Sequence, residues 1–146
     1  MKIKNLKIHN ILSIEDAEIE FGTSGLVLIE GFDYDTNRAN GAGKSAIFNA
    51  LSFALYDEVP KKITKSEILR RGTSSGYSEV SLDVNGREFK VRRERPVANT
   101  YYIDGLQVDI TQDEFVKAIG LNYDQFLTTM YTCQDSSNRF VNLNDR

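Results

Sequence analysis

One stretch restricts what this chain can fold into more than any other: Asn40-Gly41-Ala42-Gly43-Lys44-Ser45. It lies between the apolar run Leu26-Val27-Leu28-Ile29 and a segment, Ala46 to Tyr56, whose apolar residues recur at helical spacing. A buried strand, a glycine turn and a helix, in that order, form the context of a phosphate-binding loop. Gly41 and Gly43 admit backbone conformations closed to other residues, so several N–H groups can converge on one anion. The N-terminal end of the following helix adds partial positive charge. In such a loop Lys44 reaches the β- and γ-phosphates of a nucleotide and the Ser45 hydroxyl ligates Mg²⁺.

The full pattern G-x-x-x-x-G-K-[ST] is not met, because Arg38 stands where the first glycine belongs. The nearest candidate is Gly31, separated from Asn40 by the segment Phe32 to Ala39. The competing reading is a surface turn that binds nothing; the apolar run before the motif and the helical pattern after it favour the phosphate.

At 146 residues the chain fits one domain, and 40% hydrophobic with 27% charged residues is the composition of a globular protein. No apolar run approaches membrane-spanning length and Met1-Lys2-Ile3-Lys4 opens no apolar signal region, which points to the cytoplasm and away from a membrane. Cys133 and His9 are the single residues of their types, so an internal disulfide and a zinc site of cysteines and histidines are excluded.

A net charge of -3 does not announce a nucleic-acid binder, yet basic residues group. Lys61, Lys62, Lys65, Arg70 and Arg71 form one set; Arg87, Lys90, Arg92, Arg93 and Arg95 form another. With Glu67, Glu88 and Glu94 between them, a solvated mixed-charge face and a phosphate-contacting patch both remain open.

Taken in order, Lys2 to Asn10 and the alternation of Ala17, Ile19 and Phe21 predict two half-buried antiparallel strands before the loop. The helix after it carries Ile47, Ala50, Leu51, Ala54 and Leu55 on one face and stops before Asp57-Glu58-Val59-Pro60. A short helical stretch is predicted near Ser66 to Leu69, closed by Gly72, and Thr73-Ser74-Ser75-Gly76 reads as a loop. Two hairpins follow: Val80, Leu82 and Val84 lead through Asn85-Gly86 to Phe89 and Val91, and Asp104-Gly105 joins Tyr101-Tyr102-Ile103 to Leu106-Gln107-Val108. Thr111 with Glu114, and Asn122 with Gln125, are capping boxes for two short helices. Met130-Tyr131-Thr132 reads as a return to strand.

The set of catalytic parts is incomplete. No run of four apolar residues after the loop ends in the aspartate that a self-sufficient P-loop hydrolase uses to hold Mg²⁺; Asp83 and Asp109 end alternating hairpin strands. The single histidine precedes the loop, so no histidine pair can act downstream.

The ordered combination resembles the N-terminal lobe of an ABC-type ATPase head. More narrowly, Ile3-Lys4-Asn5-Leu6 through Asn10-Ile11-Leu12-Ser13, Phe48-Asn49-Ala50-Leu51, Tyr101-Tyr102-Ile103-Asp104-Gly105 and Tyr131-Thr132-Cys133-Gln134 resemble the SbcC/Rad-fifty family of SMC-like DNA-repair ATPases. Within that family the likeness is nearest to the large subunits of phage recombination exonucleases. The resemblance spans essentially the whole chain. It implies an α/β fold with a mixed sheet and antiparallel β hairpins, a single lobe over 1–146, a phosphate loop at 40–46 and a glutamine loop near 134, with the coiled coil and the C-terminal lobe lying beyond. It implies ATP and Mg²⁺ as cofactors. The implied partners are the C-terminal lobe of the same head, a second head in an ATP-dependent homodimer, a nuclease subunit and DNA.

By the same resemblance, Asn40, Gly41, Ala42, Gly43, Lys44, Ser45 and Ala46 hold the nucleotide, Lys44 and Gln134 are the catalytic pair, and Ser45 and Gln134 face the metal. Leu69, Arg70 and Arg71 match a segment beside the nucleotide base; ordinary surface charge is the other reading of the two arginines. The chain departs from the family twice. Near Ser13 the family often carries an arginine that reaches the phosphates, where this chain has Leu12. The insertion from Phe32 to Ala39 is the second departure: it is either a polar surface loop or a lid over the nucleotide, with Tyr34 on the base and Arg38 near the phosphates. Two other classes compete with this reading. A self-contained P-loop kinase or GTPase would need its own metal-binding acid, and a DNA-binding module would use the arginine-rich hairpin.

Overall fold

The computed structural model describes residues 1–22, 28–32, 43–60, 63–64, 67–97 and 99–130. Six strands form one sheet: β1 (Lys2–Ile11), β2 (Ile14–Glu20), β3 (Gly76–Val84), β4 (Arg87–Arg95), β5 (Thr100–Ile103) and β6 (Leu106–Val108). Their order in space is β2-β1-β3-β4-β5-β6, and every pairing is antiparallel. Three helices, α1 (Lys44–Tyr56), α2 (Gln112–Ile119) and α3 (Tyr123–Thr129), complete the described elements of an α/β protein.

Alternation decides which face is dry. Leu6 and Ile8 of β1, Val80 and Leu82 of β3, Phe89 and Val91 of β4 and Tyr101 of β5 are buried with α1 and with Phe115, Ile119, Phe126 and Leu127 of the two short helices. Between them, on the other face, Glu18, Lys7, Glu79 and Arg92 oppose one another across four strands with alternating sign.

The predicted turns are observed. Asn85 and Gly86 have φ of 54° and 83°, and Asp104 and Gly105 have φ of 50° and 81°, the pair of positive values that a two-residue primed turn requires. Both capping boxes close: Glu114 N–H donates to Thr111 Oγ1 and Gln125 N–H to Asn122 Oδ1, each with the reciprocal bond present.

Several expectations need correction. Leu28 and Ile29 belong to no strand, and Leu28 is 77% exposed; Leu26 and Val27 lie outside the described residues. An apolar run becomes a strand only when a neighbour pairs its backbone, and the described sheet ends at β2 and β6. The stretch at 67–69 is not helical: Glu67 and Ile68 form a turn, and Leu69 bridges Ile11. Its backbone is spent elsewhere, since Leu12 N–H donates to the Ile68 carbonyl at 2.8 Å and Arg70 N–H to the Asn10 carbonyl at 2.9 Å. Gly76 opens β3 instead of ending a loop, because a Cβ there would lie 2.5 Å from the Asn10 carbonyl oxygen. Met130 caps α3, its N–H bonded to the Phe126 carbonyl, and starts no strand; Tyr131 and Thr132 lie outside the described residues.

Helix α1 also differs from a one-faced amphipathic helix. Ala50 to Tyr56 are all buried, because the sheet covers one side and the short helices another; the Tyr56 ring packs on Tyr123 and Phe126 at 5.4 and 5.3 Å between centroids. Burial raises the Tyr56 phenol pKa, and its hydroxyl donates to the Leu121 carbonyl.

Candidate phosphate-binding site

The junction between loop and helix is set by Gly43, whose φ of 80° and ψ of 8° place it in the left-handed region, immediately before Lys44 opens α1. Gly43 has no side chain with which to cap this helix end, and the first turn holds no acidic residue. The Ala46 N–H donates to the Gly43 carbonyl at 2.9 Å, closing the first tight turn. The first amides of a helix are the groups that receive an anion at a helix N-terminus. Lys44 borders a cavity of about 410 Å³ that Ile29, Glu30, Gly31 and Phe32 also line. Ser45 is exposed at the same end of the helix. The lysine, the serine hydroxyl and the left-handed glycine fit a triphosphate and its Mg²⁺; Glu30 puts a carboxylate on the same wall, so the anion is favoured on the Lys44 side.

The far end of α1 is held by side chains from distant elements. The last carbonyls of a helix have no partner within it. Here Asp57 N–H donates to the Phe53 carbonyl, Arg93 Nε to the Ala54 carbonyl at 3.1 Å and Gln112 Nε2 to the Leu55 carbonyl at 2.8 Å. Arg93 is 1% exposed and also donates to Gln112 Oε1, which accepts from the Tyr101 hydroxyl as well. Desolvation lowers its pKa, while Tyr101 and Asp57 act in the opposite sense. A guanidinium so far above neutrality in water keeps its charge there, facing the negative end of the helix. Ser78 Oγ adds a buried bond to the Ala50 carbonyl. The helix is thereby anchored by its body and C-terminus, and its N-terminus is aimed at the site.

Of the residues predicted from sequence, Gly43, Lys44, Ser45 and Ala46 lie together at the start of α1. Asn40, Gly41, Ala42, Gln134, Tyr34 and Arg38 lie outside the described residues. Leu69 and Arg70 are drawn against the β1–β2 turn: Leu69 bridges Ile11, and the Arg70 guanidinium pairs with Glu15 at 3.0 Å, while Arg71 is exposed. That same turn reaches the loop, since Ser13 Oγ lies 3.1 Å from where a Cβ on Gly43 would stand.

The arginine-rich hairpin resolves into structural contacts. Arg87 pairs with Asp104, Arg92 with Glu94 and Arg95 with Asp57; Arg92 lies 3.6 Å over the Tyr77 ring and Lys90 4.8 Å over Tyr102. The second basic group is therefore a mixed-charge face with one buried member. Arg93 is the member of the basic group that charge counting leaves on the surface, although it continues the inward alternation of Phe89 and Val91.

The AAA domain family profile matches residues 5–145, and the chain belongs to that family. Within it the chain has the features of the N-terminal lobe of an SMC-like ATPase of the SbcC/Rad50 kind. It is 29% identical over 98% of its length to the DNA double-strand break repair Rad50 ATPase of Methanocaldococcus jannaschii, and 25% identical over 99% to the SbcC component of the nuclease SbcCD of Pseudomonas aeruginosa. It spans 14% and 15% of the length of those two relatives. In fold it is similar to a chain from a structural study of ATP-driven dimerization and DNA-stimulated activation of SMC ATPases, with a TM-score of 0.65, 16% identity and coverage of 99% of this chain and 93% of the other. Among the described residues no helix is long and apolar enough to cross a membrane.

Proposed function

We propose that this chain is the ATP- and Mg²⁺-binding N-terminal lobe of an SMC-like ATPase which, in the intact cytoplasmic protein, drives ATP-dependent DNA end processing in double-strand break repair and recombination together with a nuclease subunit, as part of an exonuclease complex of bacterial or phage origin. The observation that carries the reading is the left-handed Gly43 set directly before Lys44 at the start of α1. Lys44 would neutralise the β- and γ-phosphates, the loop amides would bind their oxygens, and Ser45 would ligate the metal with Gln134 as its second protein contact. The bound metal supplies charge neutralisation of the phosphates; the chain's own part is to orient them.

The site supplies one half of a composite pocket. A C-terminal lobe would complete the head, and a second head would close over the nucleotide in an ATP-dependent homodimer that controls access of DNA to the nuclease. Leu28, Phe32 and Phe48 are exposed, apolar surface suited to such a covering. The engagement of the hairpin arginines with neighbouring acids and rings weighs against a separate DNA-binding module as the chain's role.

Calorimetry with Mg·ATP tests the assignment. The chain should bind ATP, and Lys44→Ala should weaken binding about tenfold to a hundredfold, the value of one charge-assisted contact. Equal affinity of the two proteins refutes the site. The isolated chain should show little ATPase turnover; robust hydrolysis would contradict the half-site.

A further inference from the structure

Arg93 is the one charged residue that is buried among the described residues. The hydrogen bonds it donates there end on neutral oxygens, the Ala54 carbonyl and Gln112 Oε1. Asp57 stands at the same end of α1, but it is paired with Arg95, whose guanidinium lies 5.1 Å over the Phe53 ring. Asp57 and Arg95 cancel each other, and the charge of Arg93 is left over. Taking a cation out of water is costly unless its new surroundings compensate it. Here the compensation comes from oriented dipoles, the last carbonyls of α1 and the Gln112 amide. One unneutralised positive charge is thereby fixed inside the protein.

We propose that Arg93 is a positioning residue for the bound polyphosphate: its permanent charge, held at the negative end of α1, adds to the attraction an anion meets at the positive end. Helix α1 runs unbroken from Lys44 to Tyr56, and a rise of about 1.5 Å per residue puts Ala54 about 15 Å along the axis from Lys44. Ala50 to Tyr56 are all buried, so little water lies on the part of that path nearest the cation. At an effective dielectric constant of about 20, a unit charge at such a distance changes the affinity for a singly charged anion about fivefold. The effect grows with the charge of the ligand, so a triphosphate gains more than a diphosphate. The proposal rests on the ATP reading above and adds to it a group that never touches the nucleotide.

Calorimetry of the chain with Mg·ATP and with Mg·ADP, on variants that circular dichroism shows to be folded, tests it. Gln112→Leu and Gln112→Glu both remove the Nε2 donor to the Leu55 carbonyl, and only the second sets a carboxylate against the guanidinium. Gln112→Leu should bind Mg·ATP within about twofold of wild type. Gln112→Glu, which neutralises part of the charge, should bind Mg·ATP about fivefold more weakly and Mg·ADP, with one negative charge fewer, about twofold more weakly. Arg93→Met should lose at least as much ATP affinity as Gln112→Glu. Arg93→Lys, which keeps the charge without the planar fork, should recover most of it. Failure of the wild-type chain to bind ATP overturns the functional reading and this proposal with it. Equal ATP affinity of Gln112→Glu and Gln112→Leu, or equal losses of ATP and ADP in Gln112→Glu, overturns the role of Arg93 alone and leaves the site standing.

Discussion

Arg93 Nε and the Ala54 carbonyl oxygen are 3.1 Å apart, a buried cation on β4 meeting the last turn of α1. The same helix begins with Lys44, so one element carries the candidate anion site at its positive end and a permanent positive charge at its negative end. Replacing Arg93 with methionine keeps most of the volume but leaves the Ala54 carbonyl and Gln112 Oε1 short of a donor. Stability should fall by about 2–4 kcal/mol, read as a lower urea midpoint. Gln112→Ala should cost less, and the double variant less than the sum, because the two side chains share one network.

Gly43→Ala tests the loop junction. The new methyl would hold an L residue at φ 80° and press within 3.1 Å of Ser13 Oγ. Stability should drop by about 1 kcal/mol, whereas ATP affinity should fall more than tenfold, since the amides that would receive the phosphate depend on that turn. Calorimetry beside thermal melting separates the two effects.

Gly76→Ala tests close approach without left-handed strain. Its Cβ would meet the Asn10 and His9 carbonyl oxygens at 2.5 and 2.7 Å, backbone atoms that move only if β1 and β3 part. A cost of about 1–3 kcal/mol is expected, together with faster amide exchange at Arg70, whose bond to Asn10 lies at the same spot.

The α2 cap makes stability depend on pH. The Thr111 backbone N–H, then its hydroxyl, hold the Glu114 carboxyl below the usual carboxylate range. A carboxylate with a lowered folded pKa contributes stability that is present above its unfolded pKa, near 4.3, and is lost as pH falls through the folded value. Melting temperatures measured from pH 7 down to pH 3 should therefore decline more steeply for wild type than for Glu114→Gln. Parallel curves would remove the cap from the acid response.

Features whose partners lie within a few residues could be read from the chain alone. Asn85-Gly86 and Asp104-Gly105 make their turns, Thr111 with Glu114 and Asn122 with Gln125 close their caps, and alternation assigned the inward residues of β3 and β4. The glycine turn at Gly43 and the helix opening at Lys44 were legible for the same reason, because a loop entering a helix is local geometry. The three-dimensional packing decided the rest. Leu28 lies off the sheet although its neighbours look like a strand, residues 67–69 give up a helical turn to satisfy the backbone of β1, and Arg93 leaves the charged surface for the end of α1. Ser13 comes to lie where a Cβ on Gly43 would crowd it only because β1 and β2 fold back beside the helix start. Periodicity reports which way a side chain points, but a hydrogen bond between residues tens of positions apart depends on which surfaces meet, and only the packed chain determines that.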